Sequence, residues 1–282
     1  MSRIDLHLHT THSDGSFSTR EVMTFAKQAG VTALAITDHD IVAGIAEATA
    51  IGTELGIEVV PGVEISSRLG ESELHILGYF LNWTDPLLAQ RLSSLRDSRH
   101  TRNPKIVQRL NELGIPITYE EVRALAGTES VGRPHIARLL MEKKFVTSAK
   151  EAFDRYLANG RPAFVDRELP LPAQAVQWIR EAGGVPVLAH PTWVRTSADG
   201  LRTLVRDLKV TGLGGIEVHY STHTPSQTTE YLELAKQCDL VVTGGSDFHG
   251  VTKPDIEVGI GRGQLKVSEK LLDPLRKAAT TA

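Results

Sequence analysis

Residues 4–15 read Ile-Asp-Leu-His-Leu-His-Thr-Thr-His-Ser-Asp-Gly, IDLHLHTTHSDG. The alternation predicts a β-strand over Arg3–His9, and a period of two puts His7 and His9 on the same face. Asp14 follows in the loop just beyond the strand. Ser18-Thr-Arg-Glu21 then reads as a capping box opening a helix over Thr19–Ala29, and Gly30 suits its C-terminal stop. This strand–loop–helix unit repeats. Further strands are expected at Thr32–Thr37, Ile57–Ile65, His75–Leu81, Val185–His190, Gly215–His219 and Asp239–Gly244. Amphipathic stretches lie between them, at Ile41–Leu55, Pro172–Ala182, Leu201–Lys209 and Pro225–Gln237. Strands alternating with helices imply an α/β protein with a parallel sheet, open or closed into a barrel.

The alternation stops between about Asp85 and Val165, where the pattern is helical. Residues 1–85 and 165–282 are therefore expected to form the barrel, with 86–164 as a helical insertion. The two parts differ in charge. Residues 91–161 carry 14 Lys/Arg and 8 Asp/Glu, a net of +6, within a chain of 31 Lys/Arg and 34 Asp/Glu whose total is −3. Such asymmetry fits a surface for an anionic ligand, although a solvated helical face would look the same.

The 282-residue chain is 41% hydrophobic and 23% charged, ordinary values for a globular protein. No apolar run is long enough to span a membrane. The N-terminal residues lack the apolar core of a secretory signal, so a cytoplasmic location is expected. No obligate protein partner is evident. A single cysteine, Cys238, excludes an internal disulfide and a thiolate metal site. With eleven histidines beside it, any metal here is held by nitrogen and oxygen.

Ligand-type residues recur at the C-terminal ends of the expected strands. His39 comes from ITDHD, Glu64 from VVPGVE, His190 from VLAH, and Asp247 and His249 from VVTGGSDFH. Barrels of this class place their sites at that end. A lone histidine is more often a structural hydrogen-bonder, but convergence of several strand ends on one residue chemistry points to metal. Imidazole and carboxylate suit zinc, manganese or iron, and a shared carboxylate can bridge two ions. His75 fits least well, because it starts its apolar run instead of ending it.

HLHTTHSDG, TDHD, PGVEIS, LAHP and GSDFHG together resemble the motifs of the PHP-domain (polymerase and histidinol phosphatase) metal-dependent phosphoesterases. The resemblance spans the chain outside the insertion. It implies a distorted (β/α)7 barrel, TIM-like, with two to three divalent ions, manganese foremost and zinc or iron as alternatives. Carried over position by position, it implies His7, His9, Glu64 and Asp247 for a first ion. Glu64, His75 and His190 would hold a second, and Asp14, His39 and His249 a third.

Closely spaced ions polarise a phosphoryl oxygen and acidify a shared water. The expected chemistry is thus phosphate-ester hydrolysis without a covalent enzyme intermediate. Arg99, Arg102 and Asn103 fall on one helical face and could meet a substrate phosphate. Arg133 and His135 in VGRPHIARLL sit at an expected helix start, a second phosphate candidate. His223, in a loop after the Gly215–His219 strand, could bind phosphate or protonate the leaving oxygen, and Asp247 would be catalytic as well as a ligand. Trp83, Trp178 and Trp193 could stack on a base, though tryptophans more often pack cores and rims. The resemblance further implies a small anionic nucleotide or the 5′ end of short RNA as substrate. Removal of the 3′-phosphate from nucleoside 3′,5′-bisphosphates is the leading expectation, with 5′→3′ exonuclease activity beside it. A histidinol-phosphate phosphatase, a noncatalytic binding module and, more distantly, a carbon–nitrogen hydrolase are the alternatives.

Overall fold

A computed structural model describes residues 3–70, 72–128 and 130–280. Seven strands form one sheet in sequential order: β1 (Arg3–Leu8), β2 (Val31–Ile36), β3 (Glu58–Leu69), β4 (Ser72–Tyr79), β5 (Val185–Leu188), β6 (Gly215–Tyr220) and β7 (Val241–Gly245). The sheet curls until its ends meet. Leu8 bridges Phe248, the Asp247 N–H donates to the His7 carbonyl (2.8 Å), and the His9 N–H donates to the Phe248 carbonyl (3.1 Å). Gly245 makes this seam possible, because a Cβ there would lie 2.4 Å from both Cβ and N of His7.

The sheet is mixed, a departure from the all-parallel expectation. β1–β3 and β5–β7 pair in parallel, but β4 is antiparallel to both β3 and β5. No helix separates β3 from β4, and Gly70 (φ 57°) helps turn the chain straight back. A direct hairpin reverses direction, whereas a parallel neighbour needs a crossover. The reversal explains His75. The start of an antiparallel strand lies at the same end of the barrel as the C-terminal ends of the others, and His75 pairs across from Ser66, two residues beyond Glu64.

Helices α1 (Thr19–Gln28) and α2 (Gly44–Leu55) follow the first two strands. The expected capping box is present, with Ser18 and Glu21 bonding each other's backbone. The insertion holds α3 (Pro86–Glu112), α4 (Tyr119–Ala126), α5 (Arg133–Glu142) and α6 (Ala149–Ala152), the last running into a π-turn at Phe153–Leu157. Helices α7 (Pro172–Glu181), α8 (Ala198–Val210), α9 (Pro225–Gln237) and α10 (Leu272–Thr280) complete the chain. The insertion has its own apolar core, including Ile106, Leu110, Val122, Ile136 and Leu140. α3 joins the two parts. Leu88, Leu92 and Leu95 near its start pack into the barrel cluster, and Ile106, Val107 and Leu110 near its end pack into the second core. Arg99, Arg102 and Asn103 lie between and are buried. No helix among the described residues is long and apolar enough to cross a membrane.

Gly245→Ala tests the seam. Forcing a methyl group against the backbone of β1 should lower unfolding free energy by about 1–3 kcal/mol, in the range of overpacked cores. A urea titration reads this, and an unchanged midpoint would show that the seam tolerates a side chain.

Candidate active site

The strand ends converge on Glu64, which is fully buried. Its Oε2 lies 3.3 Å from His7 Nε2, 3.2 Å from His9 Nε2 and 3.1 Å from His39 Nδ1. Its Oε1 lies 2.8 Å from His75 Nδ1 and 2.9 Å from His190 Nε2. Asp247 Oδ1 approaches His7 Nε2 (3.5 Å), His9 Nε2 (3.3 Å) and His249 Nδ1 (3.4 Å). Asp14 faces His9, His39 and His249 at 3.7, 3.7 and 3.3 Å. All nine residues expected as ligands thus lie in one cluster.

The donor set fits divalent ions. His7 Nε2, His9 Nε2, His39 Nδ1 and Glu64 Oε2 are buried without a hydrogen-bond partner. Leaving such groups unsatisfied is costly. Ligand atoms about 2.1 Å from a shared ion stand roughly 3–3.4 Å apart, which is the spacing found here. Four groupings can each surround an ion: His9, Asp14, His39 and His249; His7, Glu64 and His190; His7, His9 and Asp247; and His39, Glu64 and His75. His39 can therefore serve either of two neighbouring positions.

The imidazoles of the cluster shift in both directions. Burial pushes the Glu64 carboxyl up, but His39, His75 and His7 outweigh it and hold its pKa well below the usual carboxylate range. Burial lowers His39 to about 3. At His7 burial is outweighed by Glu217 and Glu64, which raise it well above the usual range, and at His9 by Asp247 and Glu64, which raise it to about 9, so a bound cation would displace protons there. Outer partners orient the inner ones. Glu217 accepts from His7 Nδ1 (2.9 Å) and from the His190 backbone N–H (2.7 Å), and His249 Nδ1 donates to the Asp247 carbonyl (2.9 Å). Asp247 Oδ2 points the other way, accepting from Tyr220 Oη (2.7 Å) and Lys253 Nζ (2.5 Å). Asp40 and Asp247 both adopt φ of 57°, and His190 one of 28°, unusual for non-glycine residues.

The carboxylates flanking His39 turn away from the cluster. Asp38 ties down the loop after β1 through the Thr10 N–H (2.8 Å) and Ser13 Oγ (2.5 Å). Asp40 accepts from the Ser66 N–H (2.8 Å) and from Arg99. It starts a second polar group. Arg167 lies 3.7 Å from Asp40 and 3.9 Å from Glu73, and Arg133 donates to Glu73 (2.6 Å) while its guanidinium faces the Phe153 and Phe164 rings at 5.8 and 5.7 Å. Arg102 has no carboxylate within ion-pair distance among the described residues, and its Nε donates to Asn103 Oδ1 (2.9 Å). Burial, then Arg133, Arg167 and Arg99, push its pKa well below the usual guanidinium range. Four guanidinium charges face two carboxylates, leaving two positive charges.

Several expected phosphate contacts have one polar atom engaged within the protein. Asn103 commits Oδ1 to Arg102 and one Nδ2 hydrogen to the Val131 carbonyl (2.9 Å), so it orients Arg102 and keeps one amide hydrogen for another acceptor. His135 Nδ1 accepts the Gly132 N–H (3.0 Å), closing the start of α5. His223 Nδ1 donates to the Val218 carbonyl (2.8 Å), and burial lowers its pKa. Its other nitrogen, Nε2, is buried without a hydrogen-bond partner. The Tyr220 ring lies 5.0 Å from this imidazole and carries the hydroxyl that reaches Asp247. Arg167, Glu217, Tyr220 and Lys253 were not singled out from sequence. Of these only Arg167 carried a signal, as a basic residue just past the insertion.

A family model for the PHP domain matches residues 5–160. A 5′-3′ exoribonuclease of Haemophilus influenzae is 38% identical over 88% of this chain and 90% of its own length. A 3′,5′-nucleoside bisphosphate phosphatase of Chromobacterium violaceum is 33% identical over 92% and 91%. Among solved structures, an amidohydrolase from Chromobacterium violaceum with bound sulfate superposes with a TM-score of 0.87 at 33% identity, covering 92% of this chain and 90% of that one.

Asp40→Asn tests the second polar group. Removing the charge strands Arg99 and Arg167, and breaking a buried pair costs about 3–5 kcal/mol. Burial raises the Asp40 pKa, but Arg99 and Arg167 outweigh it and depress it to about 2. Its contribution is therefore complete above a pH of about 4 and fades as pH falls towards 2. Denaturant titrations at pH 7 and pH 3 should show the wild-type advantage over the variant shrinking in acid. An equal gap at both would contradict the pairing.

Proposed function

The chain belongs to the PHP domain family of metal-dependent phosphoesterases and hydrolyses phosphate esters, and from that premise we propose that it removes the 3′-phosphate from nucleoside 3′,5′-bisphosphates. The observation that carries this reading is the uncompensated pair of charges around Arg102. A terminal phosphate is a dianion near neutral pH, so it matches that excess. A substrate with one phosphate at the His/carboxylate cluster and another at the arginines would satisfy both sites. The 5′ end of a short RNA presents the same terminal phosphate, so 5′→3′ exonuclease activity belongs to the same proposal. A cationic amine, as in histidinol phosphate, would meet repulsion there.

His7, His9, Glu64 and Asp247 are proposed to hold one ion, Glu64, His75 and His190 a second, and Asp14, His39 and His249 a third. When bound, such ions supply Lewis-acid polarisation of the phosphoryl oxygen and a water that ionises near neutral pH. Manganese is the proposed metal, since imidazole mixed with carboxylate and no sulfur suits it. The protein's own part is positional. Glu217 and the Asp247 carbonyl fix the ring orientations of His7 and His249, and Tyr220 and Lys253 hold the outer oxygen of Asp247. Asn103 aims Arg102 at the incoming phosphate, and Arg133, held by Glu73 between two phenyl rings, flanks it. The insertion therefore acts as a substrate-binding cap over the barrel mouth.

Phosphate release from adenosine 3′,5′-bisphosphate, compared with AMP, tests the substrate. The bisphosphate should be strongly preferred, activity should vanish on chelation and return with manganese, and equal turnover of AMP would refute the reading. Arg102→Met should lower kcat/KM for the bisphosphate by about 10- to 100-fold, the worth of one charged hydrogen bond. It should not lower thermal stability, because it removes a buried like-charge conflict. Lost stability with unchanged kinetics would make Arg102 structural.

A further inference from the structure

Trp193 is unlike the other two tryptophans. Trp83 and Trp178 pack against the barrel core, whereas Trp193 is 58% exposed. It is the one aromatic residue among the exposed large apolar side chains of the described residues. It lies in the short 3-10 turn Pro191–Trp193, directly after His190. An exposed indole is ordinarily free to swing, but this one is held. Its Nε1 donates to Tyr220 Oη (3.2 Å) and its backbone N–H to the His190 carbonyl (3.0 Å). On either side, Gln227 Nε2 donates to Thr192 Oγ1 (2.8 Å) and the Arg195 N–H donates to Ser72 Oγ (3.0 Å). Tyr220 Oη in turn donates to Asp247 Oδ2 (2.7 Å), so two hydrogen bonds separate the indole nitrogen from the ligand cluster.

We infer that Trp193 is a stacking platform for the nucleobase of the substrate. The inference rests on the reading of the substrate as a nucleotide. Of the three parts of a nucleoside bisphosphate, the cluster takes one phosphate and the arginines the other. The base needs a flat apolar surface about one sugar away from the reacting phosphate. Trp193 offers that surface three residues after His190 and, through Tyr220, two hydrogen bonds from Asp247. A ring already locked in place loses little conformational freedom when a base settles on it. Every base has a π face, so the platform recognises a nucleobase without distinguishing which one.

The test compares adenosine 3′,5′-bisphosphate with ribose 3,5-bisphosphate, which has the same phosphates and no base. In Trp193→Ala, kcat/KM for the nucleotide should fall about 5- to 100-fold while the abasic compound changes by less than about twofold, as loss of base–aromatic stacking requires. Guanosine and uridine bisphosphates should lose as adenosine does, and Trp193→Phe should recover part of the loss. As a readout apart from turnover, AMP should quench tryptophan emission in the wild type and not in Trp193→Phe. Equal loss on both compounds would overturn the platform, placing the effect in Tyr220 and Asp247 instead. No loss on either would overturn it too. In both cases the nucleotide reading survives, provided the wild type turns the bisphosphate over. Failure of the wild type on both compounds would sink that reading and the platform together.

Discussion

One buried carboxylate faced by five imidazoles organises this molecule. Glu64 sits at zero exposure, with His7, His9 and His39 on one oxygen and His75 and His190 on the other. Four atoms of that group have no hydrogen-bond partner. A protein core does not tolerate such an arrangement for its own sake, because unsatisfied buried polar atoms cost more than they return. The constraint makes sense only when cations complete it. The rest of the barrel is built to bring these side chains to one point: the closed seam, the reversed strand, and the outer carboxylate of Glu217.

The same logic recurs with the sign inverted a short distance away. The arginine group has more positive charge than its two carboxylates neutralise, and Arg102 is where the surplus is felt. The two polar groups are mechanically joined. Asp40 follows His39 in the chain by one residue and anchors Arg99, which α3 delivers. α3 itself is seated in the barrel core at one end and in the insertion core at the other. A phosphate bound between Arg102 and Arg133, as proposed, would be held at a distance from the ligand cluster set by packed elements, not by flexible loops. Such preorganisation is what a two-phosphate substrate rewards.

Much of this was legible in the sequence because it depends on short-range order. Period-two alternation placed His7 and His9 on one face, and strand ends delivered His39, His190, Asp247 and His249, while Glu64 lies within β3, which runs on past its expected end to Leu69. The departures have a common cause. His75 looked misplaced because direction of a strand is a property of its neighbours, and β4 runs against them. Asn103, His135 and His223 each commit one nitrogen to a backbone group, which fixes their orientation and carries no sequence signature. Glu217 and Tyr220 sit on a strand whose residues carried no motif, and Lys253 lies in an unremarkable loop.

The sequence by itself determined which residue chemistry would meet, since the ligand types, their strand-end positions and the helical insertion are all encoded locally. It also determined the charge contrast between barrel and insertion. Only the tertiary structure decided which atoms face inward, which arginine lacks a counter-charge, and which tryptophan is held open beside the site. Those are outcomes of long-range pairing: the direction of β4, the seam between β1 and β7, and the crossing of α3 between two cores. Local patterns specify an element and its faces. What each face meets depends on elements as much as two hundred residues away, and the energies that choose among them exist only once the chain has closed.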